Sequence, residues 1–192
     1  MTTVRFASEA DARDLLAIYA PYIDTPVTFE YTCPTAEEFA GRIRDIRAMY
    51  PYLVLEQDGR PIGYAYAHRA RERAAYDWCV ELSVYLDRAH TGQGLGRRLY
   101  GLLIDLLALQ GIKTVMGCVT APNPASEALH AALGFRLAGT SPNAGYKCGQ
   151  WHHVLWYEKA LAPYDVPPPP VLPADRLDPA AVAELLARYF PS

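Results

Sequence analysis

The spacing of apolar positions changes period several times along this chain, and each change marks an element. Leu15, Ile18, Tyr19 and Tyr22 recur at helical spacing after Ser8, a residue suited to cap a helix. A second helix is predicted where Phe39, Ile43, Ile46 and Met49 follow Thr35, with Glu38 three residues on completing a capping box. The period then drops to two. Tyr52-Leu53-Val54-Leu55-Glu56 and Pro61-Ile62-Gly63-Tyr64-Ala65-Tyr66 flank Asp58-Gly59, the dipeptide of a tight hairpin. Residues 78–86 form the next strand. A glycine-bearing loop then leads into a helix from about residue 92 to 109, with Leu95, Leu99, Leu102, Leu103 and Leu106 on its buried face. Residues 113–119 are β-rich, 123–133 form a short helix closed by Gly134, and 135–139 and 152–158 finish the sheet.

Two helices, a run of antiparallel strands, helix, strand, helix and closing strands describe an α/β (α+β) domain, a mixed and mostly antiparallel sheet flanked by helices. That domain is expected over residues 1–162. Pro163, Pro167, Pro168, Pro169, Pro170 and Pro173 then make a semi-rigid extended arm over 163–174. In 175–192, Asp178-Pro179 opens a last helix with Val182, Leu185, Leu186 and Tyr189 on one side. That helix is expected to pack on the domain or on a second subunit rather than to act as a linear recognition motif.

Composition narrows the function by exclusion. A net charge of -3 without any cluster of Lys and Arg argues against a nucleic-acid surface. Cys33, Cys79, Cys118 and Cys148 lie far apart with no C-x-x-C pair, so free thiols are expected rather than disulfides or a zinc site. Cys79 and Cys118 read as small core residues. Without an apolar leader or a bilayer-spanning run, the expected setting is cytoplasmic.

Two features carry chemistry. Glu81 is a lone carboxylate in an apolar strand, and Gly92, Gly94 and Gly96 follow in the loop before the Leu-rich helix. Glycines there let backbone N–H groups converge, and the helix dipole adds positive charge, a combination suited to a pyrophosphate. The loop has neither the Gly-x-Gly-x-x-Gly of a dinucleotide fold nor the Gly-Lys-Ser/Thr of a P-loop. It resembles the coenzyme A turn of the GNAT superfamily of N-acetyltransferases, Gln/Arg-x-x-Gly-x-Gly/Ala, with Thr91 standing where Gln or Arg is usual. Asn123-Pro-Ala-Ser126-Glu-Ala-Leu-His130-Ala-Ala-Leu-Gly134-Phe135 is similar to the superfamily's second segment, with His130 in place of its tyrosine. The chain resembles, more closely, the phosphinothricin N-acetyltransferase family. Thr28-Phe29, Tyr50-Pro51, Arg73-Ala-Ala-Tyr76-Asp77-Trp78, Glu81-Leu-Ser83-Val84-Tyr85, Gly145-Tyr-Lys147 and Trp151-His152 carry that likeness.

The resemblance implies a GNAT fold, acetyl-CoA as cosubstrate, a small amino-acid-like acceptor and a homodimer. Under it, Gly92, Gln93, Gly94, Leu95, Gly96 and Arg97 hold the pyrophosphate. Backbone amides of Val84, Tyr85 and Leu86 meet the pantetheine and acetyl group, with Asn123 and Ser126 alongside. Glu81 is the base that frees the amine's lone pair, and His130 serves as acid or base near the thiol. Phe29, Arg71, Arg73, Tyr76, Ser83 and Tyr85 would contact the acceptor, the arginines as forks for carboxylate or phosphinate. Plainer readings stand beside these: Glu81 in a salt bridge with Arg73 or another cation, His130 as a satisfied core imidazole, and the arginines as surface cations. No metal is expected at His152-His153, because neighbours on a strand face opposite ways. Methionine sulfoximine or sulfone, a general amine, and a non-catalytic acetyl-CoA-binding module remain as alternatives.

Overall fold

A computed structural model describes residues 1–191. Seven strands, β1 (Thr2–Phe6), β2 (Tyr52–Gln57), β3 (Arg60–Arg69), β4 (Cys79–Leu86), β5 (Thr114–Ala121), β6 (Arg136–Lys147) and β7 (Gln150–Ala160), form one sheet in the order β1-β2-β3-β4-β5-β7-β6. Every neighbouring pair is antiparallel except β4 and β5. Helices α1 (Ala12–Ile23) and α2 (Ala36–Arg47) cover one face, and α3 (Leu95–Gln110), α4 (Pro124–Ala132) and α5 (Pro179–Tyr189) the other. The sheet is the mixed, mostly antiparallel one that the periodicity predicts.

Alternation within the central strands sends side chains to two cores. Val80 and Leu82 join the α3 leucines in the larger cluster, whereas Tyr52, Val54 and Tyr64 pack with Leu15, Ile18, Phe39 and Ile43 of α1 and α2. The Thr35–Glu38 capping box forms as expected: the Glu38 N–H donates to Thr35 Oγ1 (3.2 Å) and the Thr35 N–H to Glu38 Oε2 (2.7 Å). The last helix docks on its own domain. Leu185 and Phe190 enter the larger core, Tyr189 Oη donates to Asp105 (2.9 Å), and the Tyr189 ring lies against Gly101, where an added Cβ would stand 2.9 Å from it. The proline arm is tied down by Lys113–Asp165 (2.6 Å) and by Gln110 Nε2 donating to the Leu172 carbonyl (2.6 Å).

Several boundaries move. β1 goes unread from periodicity because five residues are too few for a clear alternation. Ser8 caps a one-turn 3-10 segment, Glu9–Asp11, and α1 starts at Ala12. Helix α3 starts at Leu95 rather than near residue 92, because Gly92 and Gly94 are both left-handed (φ 74° and 76°). The closing strands are longer than expected. Ser141-Pro-Asn-Ala-Gly145 reads as a loop but is absorbed as a register shift within β6. The reversal falls instead at Cys148-Gly149, both at positive φ. Among the described residues no helix is long and apolar enough to cross a membrane.

Candidate active site

The sheet contains a gap. Strands β4 and β5 pair only from Cys79–Thr114 to Leu82–Gly117, and past that point they diverge. The β4 edge from Ser83 onward therefore faces β5 without a strand partner. A cleft runs through the gap, lined by Leu82, Ser83, Val84 and Tyr85 on one side and Cys118, Val119 and Thr120 on the other. Asn123, Ser126, His130 and Tyr100 close its α4 and α3 wall, and Val27 borders the opposite face. Both faces of the sheet thus communicate at one place.

At the far end of β4 the backbone prepares an anion site. Helix α3 has Gly94 as its N-cap, which offers no side-chain acceptor, and its first backbone bond runs from the Arg98 N–H to the Gly94 carbonyl (3.1 Å). The N–H groups of Leu95, Gly96 and Arg97 are the unsatisfied donors of a helix start. The left-handed glycines bring the loop close without Cβ atoms in the way. Of the side chains, Gln93 Nε2 donates to the Ala89 carbonyl (3.3 Å) and Arg97 reaches the Ala132 carbonyl (3.3 Å). Thr91 Oγ1 turns back to the Arg88 carbonyl (2.9 Å), so its departure from Gln or Arg leaves the backbone donors intact. An unpaired strand edge leading from an open helix start fits an extended cofactor with a pyrophosphate at one end.

His130 sits on the α4 wall with 4 % of its surface exposed. Its Nδ1 lies 2.8 Å from the Ser126 carbonyl, an atom that can only accept, so Nδ1 carries the proton and Nε2 the lone pair. Nε2 stands 3.4 Å from Tyr100 Oη. The ring stacks on Tyr157, meets Phe135 and Tyr100 edge-on, and fills the space above Gly117, where an added Cβ would stand 2.1 Å from Nε2. Burial pushes its pKa down, with the Ser126 carbonyl opposing that shift. His130 is accordingly a neutral imidazole at neutral pH. Asn123 Oδ1 accepts from the Ser126 N–H (3.2 Å), capping α4 and fixing the turn that carries both residues to the cleft.

The other mouth of the gap is built from side chains. Glu81, Ser83 and Tyr85 alternate onto the α1–α2 face of β4, opposite His68, Tyr66 and Tyr64 of β3. Glu81 Oε1 stands 3.9 Å from His68 Nε2 and makes no pair with Arg73. Tyr85 is wedged between Tyr19 (5.0 Å), Tyr22 (5.3 Å) and Tyr64 (5.3 Å), and burial raises its pKa well above the ordinary phenol range. Phe29 lies over Gly145, where an added Cβ would stand 2.3 Å from its ring. The loop bearing Phe29 is pinned by β6, the strand it lies on. Lys147, 4 % exposed, donates to the carbonyls of Thr28 (2.5 Å) and Glu30 (2.7 Å).

A family profile described as "Acetyltransferase (GNAT) domain" matches residues 4–156. The chain belongs to this family. Among curated relatives, the phosphinothricin N-acetyltransferase of Streptomyces viridochromogenes is 37 % identical over 175 residues, 91 % of this chain and 95 % of its own length. The L-methionine sulfoximine/L-methionine sulfone acetyltransferase of Salmonella typhimurium is 32 % identical over 167 residues, covering 86 % and 98 %. The crystal structure of a GNAT superfamily phosphinothricin acetyltransferase from Sinorhizobium meliloti in complex with AcCoA superposes with a TM-score of 0.83. It is 34 % identical, over 92 % of this chain and 97 % of that one.

Within this GNAT domain, not every expected site residue reaches the cleft. Arg71 stands over the Trp156 ring (5.7 Å), and the Ala70 carbonyl accepts from its Nη1 (2.6 Å). Arg73 begins the 3-10 turn Ala74–Tyr76 as an exposed side chain. Tyr76 turns to a separate groove shared with Trp78, Lys113, Tyr164 and Pro168. Cys118 departs from its expected core place. As an outward neighbour of Gly117 on β5 it reaches the cleft, while protein packed around it pushes the thiol up to about 12. Tyr100 and His68 escape sequence reasoning. Tyr100 hides among helical leucines, where its hydroxyl was the available signal, and His68 gains meaning only from the register that sets it opposite Glu81.

Proposed function

We propose that this chain is an acetyl-CoA-dependent N-acetyltransferase acting on the α-amino group of phosphinothricin or a close amino-acid analogue. The observation that carries the reading is the gap between β4 and β5, a cleft lined from Leu82 to Tyr85, with Glu81 one residue before that run and the glycine turn following the end of β4. Bound acetyl-CoA supplies an activated acetyl thioester. The first turn of α3 and the Gly92–Gly94 backbone would hold its pyrophosphate. The free β4 edge at Val84, Tyr85 and Leu86 would align pantetheine and polarise the acetyl carbonyl.

Glu81 takes a proton from the acceptor's ammonium, which has no lone pair until then. His130 and the Tyr100 hydroxyl line the cleft where the departing sulfur would lie. Transfer is direct: Cys118 reaches the cleft, but with its thiol pushed up to about 12 it is not a thiolate nucleophile at neutral pH. Arg71 lies outside the cleft lining, over Trp156 and within electrostatic reach of Cys118, and would be the guanidinium to meet the carboxylate or phosphinate of an acceptor that projects from the cleft. Relatives named for phosphinothricin, and the Ala75-Tyr76-Asp77-Trp78 run before Glu81, support that acceptor first. Methionine sulfoximine or sulfone is the second reading, favoured by the Salmonella relative, since each joins an amino-acid head to a tetrahedral, oxygen-bearing centre. A homodimer and a cytoplasmic setting belong to the same proposal.

Free-thiol release from acetyl-CoA tests it, with L-phosphinothricin, methionine sulfoximine, methionine sulfone and plain amines supplied separately. Saturable release with L-phosphinothricin is expected. Saturation only with plain amines would move the chain to a general amine transferase. Tight acetyl-CoA binding with silence from every acceptor would leave a binding module.

A further inference from the structure

Of the titratable groups near Glu81, which include Cys79, Cys118 and Tyr66, His68 is the one that turns a basic ring nitrogen to its carboxylate. His68 lies directly across the β3–β4 ladder from Glu81, so both side chains leave the sheet on the same face. His68 Nδ1 is 3.0 Å from the Arg69 carbonyl. Because that oxygen can only accept, Nδ1 is assigned the proton and Nε2 the lone pair. Nε2 is the atom turned to Glu81, 3.9 Å from Oε1. This is longer than a hydrogen bond, by an amount that a small side-chain rotation closes, and such contacts commonly tighten when substrate binds. The Glu81 side chain is 20 % exposed and that of His68 40 %, so the imidazole lies on the way from carboxylate to solvent.

We propose that His68 accepts the amine's proton from Glu81 and passes it to solvent, making the base of this site a carboxylate–imidazole pair. The inference rests on the N-acetyltransferase reading. In balance, the acceptor's N–H bond breaks and an O–H bond forms on Glu81, leaving the electron pair on nitrogen. That O–H then breaks as Nε2–H forms, and water removes the proton from Nε2, restoring both groups. An imidazole is a stronger base than a carboxylate, so a carboxylate that hands the proton on does not have to hold it against the more basic amine.

On the Glu81 side, Cys79 and Cys118 lie within electrostatic reach of both Glu81 and Arg71, and Arg71 turns to the Ala70 carbonyl and the Trp156 ring. Tyr66 is next along β3 (ring centroids 6.1 Å), and the hollow beside His68 is lined by Tyr52 of β2, Tyr19 of α1, Phe39 and Arg42 of α2, and Glu30. Arg42 and Glu30 pair with each other (2.6 Å), and Arg69 is taken by Asp77 (2.6 Å). Among the described residues, Glu81 is the charged group facing the imidazole without another ionic partner. His68 is a positioning residue in this scheme, acting through Glu81.

Two measurements test it. In His68→Gln, kcat at neutral pH should fall ~10- to 100-fold. The acid limb of kcat should move to lower pH, because the imidazole no longer takes part in the relay, while KM for acetyl-CoA stays put. An unchanged limb overturns the proposal. The second measurement needs no turnover. Nitrogen-15 NMR of the His68 ring in alkaline solution should show the proton on Nδ1 and the Nε2 lone pair free for Glu81. A ring protonated at Nε2 would overturn the relay whatever the substrate. The Nδ1 form in a protein silent with every acceptor would keep the relay geometry and sink the N-acetyltransferase reading instead.

Discussion

The two mouths of the gap between β4 and β5 are made of different material. On the cofactor side the donors are backbone: an uncapped helix start, two left-handed glycines and a strand edge without a partner. On the acceptor side the groups are side chains delivered from β3, β4 and a loop that Lys147 of β6 holds in place. Backbone donors are indifferent to which side chains surround them, so the first mouth suits a cosubstrate that never changes. Side-chain chemistry is altered one substitution at a time, so the second mouth is where relatives named for different acceptors can diverge. The histidines follow the same division. His130 is buried and neutral in the cofactor wall, whereas His68 is half-open at the acceptor mouth beside Glu81.

The comparison breaks first at Glu81. Glu81→Gln keeps shape and removes the base, and kcat should fall ~10²- to 10⁴-fold with KM for acetyl-CoA unchanged. Steady-state kinetics in both substrates check this, and a matched loss of acetyl-CoA affinity would show the two mouths to be one unit. The reverse experiment is Gly94→Val. Gly94 stands at φ 76°, where an L-residue costs ~1–2 kcal/mol and a β-branched one more. KM for acetyl-CoA should rise ~10-fold or beyond while KM for the acceptor holds. Thr91→Gln, in the same loop, is the control expected to change little.

What could be read in advance divides along the same line. The backbone-built mouth was visible as glycines before a Leu-rich helix, because glycine spacing and helix starts are local properties of the chain. Glu81 stood out because a carboxylate in an apolar strand costs free energy unless it has a use or a partner. The acceptor mouth depended on register and on long-range contact. Nothing near residue 147 announces that its lysine reaches the carbonyls of residues 28 and 30, and nothing near residue 68 announces Glu81. Cys118 was misplaced because a small residue in a β-rich run reads as core, and only the divergence of β5 from β4 opens that position. Tyr76 was placed by likeness, and in this fold it turns to a different groove.

Lys147 sharpens the division at smaller cost. Its ammonium is buried and donates to two carbonyls of the loop that carries Phe29. Lys147→Met keeps the length and removes both bonds, each a charged hydrogen bond worth about 1.5–3 kcal/mol before water or repacking compensates. The acceptor KM should rise ~10-fold through the freed loop, with acetyl-CoA binding unaffected, and isothermal titration with each ligand separates the two. If both affinities fall together, the loop braces the gap itself.

The smallest effects are in stability, and acid unfolding should resolve the two sides as separate steps. On the cofactor side burial lowers the pKa of His130, so its folded state favours the neutral ring. The stability from keeping it neutral is fully present above the unfolded imidazole value near about 6.5 and drains away as pH falls toward the depressed folded value. Covering the acceptor side, α1 is anchored where Arg5 donates to Asp11 (2.6 and 2.9 Å) just before its first turn. That hydrogen-bonded guanidinium, aided by the Ser8 N–H, holds the Asp11 carboxyl down to about 2. Its contribution persists until pH falls below about 4 and is lost on the way to about 2, later than that of His130. With the Arg5 side chain 41 % exposed, screening reduces the pair to about 1–2 kcal/mol. Thermal unfolding across pH 7 to about 2 should therefore show His130→Phe differing in slope from wild type below about pH 6.5, and Asp11→Asn differing at neutral pH but converging only as pH nears about 2. Convergence of both variants in a single window would mean that the two faces of the sheet answer to one set of charges, and that the division seen at the gap does not extend to the fold around it.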